Sequence, residues 1–84
     1  MPATVYARLK GLITEQLGVD EDEIAPHASF TDDLNAAPEE LMELIMALEE
    51  EFGIEVNDEE VAKIIRDAAT VQDVVEYIRE NLDE

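Results

Sequence analysis

Asp32-Asp-Leu-Asn-Ala-Ala-Pro-Glu-Glu-Leu-Met-Glu-Leu-Ile-Met-Ala-Leu-Glu-Glu-Glu-Phe52 is the stretch on which the fold turns. From Pro38 onward, Leu41, Leu44, Ile45, Leu48 and Phe52 recur at helical spacing and form one apolar stripe. Proline suits the first position of a helix, where its missing N–H would have no partner anyway. Gly53 follows as a natural stop. A helix over 38–52 is therefore expected, with one face turned to a core and a second face rich in glutamate.

The flanks read the same way. Val5, Leu9, Leu12, Ile13 and Leu17 share a face and precede Gly18, which predicts a first helix over residues 3–17. Its interior Gly11 weakens it by about 1 kcal/mol relative to alanine. Residues 19–35 form a long connection containing Pro26. Loops of that length are uncommon unless anchored or functional, and Val19, Ile24, Phe30 and Leu34 are spaced to pin this one. Beyond the second helix, Ile54 and Val56 alternate with Glu55 in a short extended link. Asn57 and Glu60 predict a capping box opening a third helix that carries Val61, Ile64 and Ile65. Thr70 and Asp73 repeat that logic before a fourth helix with Val71, Val74, Val75, Ile78 and Leu82 on one face. The expected fold is all-α: a single domain over 3–82, a bundle of four helices (three long, one short) with a long first loop.

Composition narrows the function. The 84 residues hold 23 acidic and five basic side chains, a formal charge of −18. Nucleic-acid binding is excluded by the lack of clustered Lys and Arg, whereas basic protein surfaces are attracted. With 46% hydrophobic residues in clear periodicity, the acidity does not imply disorder. There is no cysteine, hence no disulfide or thiolate metal site. No apolar run approaches the ~20 residues of a membrane span, and the start lacks a basic-then-apolar leader. A cytoplasmic monomer without membrane contact is expected.

Chemistry-bearing sets are sparse. Asp20, Glu21, Asp22 and Glu23 form an oxygen-rich run, but without the glycine turn and distal glutamate of a calcium loop. His27 has no second histidine or cysteine for zinc. Nothing resembles a catalytic triad or a phosphate-cradling loop, so no enzyme activity and no metal site are expected.

Several segments, in order and at matching spacing, resemble the acyl carrier protein family. They run from about Leu12 to Ile78: Glu15-Gln16-Leu17-Gly18-Val19, Ala28-Ser29-Phe30 with Asp33-Leu34, and Glu43-Leu44 with Met46-Ala47-Leu48-Glu49-Glu50-Glu51-Phe52. Gly53-Ile54-Glu55-Val56, Asp58-Glu59-Glu60, Thr70-Val71 and Tyr77-Ile78 complete the series. The resemblance implies a carrier of fatty-acid or polyketide synthesis, loaded through 4′-phosphopantetheine on the serine of an Asp-Ser-Leu triplet at the start of the second helix. Here that triplet falls on Ala37, Pro38 and Glu39. Pro38 has no hydroxyl, and Ser29 is the sole serine of the chain. Ser29 is read as a turn residue. Asn35, where the family has glycine, still tolerates left-handed backbone. Ile65 to Ala69 lengthens the third helix or its exit by about a turn.

The resemblance also implies that basic enzyme surfaces grip the second helix at Glu43, Glu49 and Glu50, with Met42 and Met46 between them. Glu39 and Glu40 stand where the phosphate would lie and complement the helix dipole, and they join the expected partner-binding set. For Met42 and Met46 the alternative is a place at the edge of the core. The resulting expectation is a carrier-like protein without a prosthetic group that docks or regulates. The alternatives are a working carrier modified at another position, or an acidic protein responding to divalent ions.

Overall fold

The computed structural model describes residues 4–67 and 69–82. Four helices follow one another: α1 (Val5–Leu17), α2 (Pro38–Phe52), α3 (Asp58–Arg66) and α4 (Val71–Asn81). The described part is helical, as the sequence predicts, and the one short α-helix of the four is α3, with nine residues. α1 lies against α2 and α4, and α3 rests on α2. No helix among the described residues is long and apolar enough to cross a membrane.

α1, α3 and α4 each start where the capping side chain takes up a free N–H group of the first turn. Thr4 accepts from the Ala7 N–H and caps α1, which begins at Val5, two residues after the expected start at Ala3; Ala3 lies outside the described residues. Asn57 Oδ1 accepts from the Glu60 N–H at 2.8 Å, so the Asn57 half of the expected box forms. Both halves form at α4: Thr70 Oγ1 accepts from the Asp73 N–H and Asp73 Oδ2 from the Thr70 N–H. Gly18 and Gly53 close α1 and α2 in the left-handed conformation, at φ 69° and 67°.

Leu9 and Ile13 of α1, the whole α2 stripe, and Val71, Val74, Val75 and Ile78 of α4 are buried together. The long loop joins them through Ile24, Phe30 and Leu34, with Val19 half-buried. Ala28, Ala36 and Val56 are also buried, which periodicity did not foretell. The loop carries one 3₁₀ turn at Glu21–Glu23. It is then strapped to the α3–α4 junction: Phe30 N–H donates to Ala69 O, Val71 N–H to Ala28 O, and Gln72 N–H to Pro26 O. The first two of these bonds form an antiparallel bridge between Ser29 and Thr70. Those bonds use polar groups that a buried loop must satisfy.

α3 departs from the expected packing. Val61, Ile64 and Ile65 are only partly buried: they pack against the core, and no residue of α3 is buried within it. The extension at Ile65–Ala69 begins inside α3 and ends beyond it: Ile65 and Arg66 are its last helical residues, Asp67 caps it, and the Ala69 N–H donates to Ile64 O. Ala68, within that extension, lies outside the described residues.

Candidate functional site

The start of α2 is delivered by a tightly bonded turn. Asp33 Oδ2 accepts the Ser29 N–H at 2.7 Å, while the Asp33 and Leu34 N–H groups donate to Ser29 O. The Ala36 N–H donates to Phe30 O at 2.8 Å. Asn35, between them, holds φ 56°, the left-handed geometry that asparagine tolerates best among residues with a Cβ. The chain then enters α2 at Pro38, which is exposed at its first position.

Ala37 caps this helix without a side-chain acceptor, and Glu40 Oε1 reaches back to the Ala37 N–H at 2.8 Å. One carboxylate thus neutralises a free donor at the positive end of the helix dipole. Glu39 stands exposed beside it.

A group attached through a phosphodiester needs an alcohol, and the first turn of α2 has none: its side chains are proline and two carboxylates. Ser29 does not replace it. It is buried, its hydroxyl accepts from the Asp32 N–H at 3.2 Å, and Thr31 Oγ1 lies 3.4 Å away. The residues at the head of α2 therefore do not fit 4′-phosphopantetheine.

Along α2, Glu39, Met42, Glu43, Met46 and Glu50 fall within about 100° of arc on the side opposite the buried stripe, by the 3.6-residue turn. Met42 and Met46 are 53% and 61% exposed, so they do not belong to the edge of the core. Exposure of two thioether side chains four residues apart, set among carboxylates, makes an adaptable apolar strip in a negative field.

Glu49 is different. It is half-buried, and its Oε2 accepts the Val56 N–H at 2.8 Å, fixing the link between α2 and α3. That internal bond removes it from the freely exposed set of Glu43 and Glu50.

Sequence reasoning passed over Tyr77. Its half-buried ring lies with Ile64 and Val74 in a cleft between α3 and α4. Burial, with Glu60 and Glu49 nearby, raises its phenol above the ordinary value. Tyr77-Ile78 entered only as one segment of the resemblance, and no local pattern marks Tyr77 as part of a site, because the cleft exists only where α3 and α4 diverge.

The acidic run does not converge. Glu23 Oε2 is taken by the Asp20 N–H. Among the described residues, no three His, Asp or Glu side chains meet as metal ligands.

A family model described as "Phosphopantetheine attachment site" matches residues 7–78.

Proposed function

Because the chain belongs to the phosphopantetheine-attachment family, and so is a carrier-type domain and not an enzyme, we propose that it docks on a partner without ever being loaded. The observation that carries this reading is Pro38 at the head of α2, where the first turn offers no hydroxyl. Proline, with Glu40 reaching back to the Ala37 N–H, gives a satisfied helix start that needs no attached phosphate.

Family members act with synthase enzymes, and the partner proposed here is a basic surface on an enzyme of fatty-acid or polyketide synthesis. It meets Glu39, Met42, Glu43, Met46 and Glu50 of α2. Glu40 and Glu49 support that face from its borders, each with one oxygen committed within the chain. The protein acts as a cytoplasmic monomer with no prosthetic group, either occupying the docking site of a loaded carrier or regulating the enzyme.

Intact-mass analysis tests the reading directly. The protein is incubated with coenzyme A and a broad-specificity phosphopantetheinyl transferase. No change in mass is expected for the native chain. The Ala37→Asp, Pro38→Ser, Glu39→Leu triple variant should gain one phosphopantetheine. Modification of the native chain would establish a working carrier with an unusual attachment point and overturn the proposal.

A further inference from the structure

We propose that the cleft between α3 and α4 is a second docking site, which takes a partner segment carrying Arg or Lys next to aliphatic side chains. None of the cleft's lining residues belongs to α2, so the inference stands apart from the carrier reading.

The cleft exists because α3 rests on α2 and does not pack along α4. It measures about 470 Å³, within the range of roughly 300–1,000 Å³ usual for ligand sites. Ile64, Ala69, Val74 and Tyr77 line it with apolar surface. Val74 is buried, and Ile64 and Tyr77 are half-covered, so the apolar lining continues into the core. A guest that covers this surface gains hydrophobic free energy that α3 leaves unused within the chain.

The rim decides the sign of the guest. Glu60, Asp67, Asp73, Glu76 and Glu80 bring five carboxylates against the ammonium of Lys63 and the guanidinium of Arg66, which pairs with Asp67 at 3.4 Å. An anionic guest is repelled, and a neutral aliphatic one would strip water from carboxylates without replacing it. A cationic side chain with an apolar stem suits both layers. Its methylenes lie on Ile64 and Val74 while its head meets the rim and the Tyr77 face.

The cleft's length favours a peptide over a small amine. From Glu60 to Asp67, the cap of α3, is seven steps of helical rise, about 10 Å, the reach of three residues of extended chain at roughly 3.3 Å each.

Amide chemical-shift titration in about 0.15 M salt tests the site with two blocked hexapeptides of equal charge. One alternates Leu and Arg, the other Ser and Arg. The Leu-containing peptide should saturate shifts at Lys63, Ile64, Val74 and Tyr77, and bind about tenfold more tightly than its Ser counterpart. Glu76→Lys with Glu80→Lys, both exposed positions, should weaken it about tenfold. Glu43→Lys with Glu50→Lys on α2 should leave it within about twofold. Shifts centred on α2, equal binding of the two peptides, or equal losses from the two double variants would each overturn the proposal by showing diffuse attraction to a charge of −18. The intact-mass result bears on none of these outcomes.

Discussion

Arg8 of α1 holds Glu51 at the end of α2 by three hydrogen bonds, although 43 residues separate them. Its Nε and Nη2 donate to Glu51 Oε2 at 3.1 and 2.9 Å, and Nη2 also donates to the Glu51 carbonyl at 2.9 Å. The guanidinium carbon lies 4.5 Å from the centre of the Phe52 ring. α2 has no basic residue in its own last turn. Arg8 therefore supplies, from a neighbouring helix, the cation that its C-terminal dipole and last carbonyls favour.

The carboxylate is the lesser part of this arrangement. Both side chains are more than a third exposed, so solvent screens the ion pair to below about 1 kcal/mol. The carbonyl bond and the ring contact remain when only the charge is lost. Arg8→Met should lower unfolding stability by about 1–2 kcal/mol, and Glu51→Gln by less than half as much. Urea unfolding followed by circular dichroism measures both. Equal losses would mean that the ion pair dominates.

Phe30 and Ile64 separate a loop that is core from a helix that is not. Phe30 is 2% exposed in the middle of the long connection, whereas Ile64 is half-buried on α3. Truncating a buried phenylalanine costs about 3–5 kcal/mol, comparable with the whole stability of a small domain, at the low end about 5 kcal/mol. Phe30→Ala should abolish most of the cooperative melting transition. Ile64→Ala should cost only about 1–2 kcal/mol, because part of its surface already meets water. A larger loss at Ile64 than at Phe30 would contradict the observed placement of α3 outside the core.

What the sequence made legible follows from this contrast. The Leu41–Phe52 stripe, the Thr70 and Asn57 caps and the pinning residues Ile24, Phe30 and Leu34 are local patterns, each readable without knowing the neighbour. Periodicity shows that a face is apolar, not what covers it. Val61, Ile64 and Ile65 hence promised a core helix and proved only partly buried, with Ile64 bordering a cleft. Glu49 looked equivalent to Glu50 until Val56 folded back upon it. At the head of α2 the missing hydroxyl was plain from one residue. Whether Met42 and Met46 faced solvent depended on which neighbours left them uncovered.

Tyr77 gives the fold a specific alkaline weakness. Burial first, then Glu60 and Glu49, raise its phenol above the ordinary value near 10. Between the unfolded and folded values, the folded chain binds the proton more than the unfolded chain does. Stability therefore falls with rising pH across that window, and the phenol exerts no such pull below about pH 10, where it is protonated in both states. Tyr77→Phe should retain more of its melting temperature than the native protein as pH rises from about 9.5 to 11. Parallel losses in the two proteins would show that Tyr77 is not the group responsible.

Charge alone predicts how ions act on this protein. With 23 acidic and five basic residues, self-repulsion opposes the compact state. Any salt shortens its range, to about 8 Å at 0.15 M. Sodium chloride and magnesium chloride at equal ionic strength should therefore both raise the melting temperature, gradually and without a stoichiometric end point. The Asp20–Glu23 turn offers little more, since Glu23 is already bonded to the Asp20 N–H, and a calcium site wants six to eight converging oxygens. Calorimetric titration with calcium in a sodium chloride background checks the distinction. Weak heats without an inflection are expected. One tight equivalent, with a matching jump in melting temperature, would instead make this an ion-responsive protein, and screening would no longer account for its behaviour in salt.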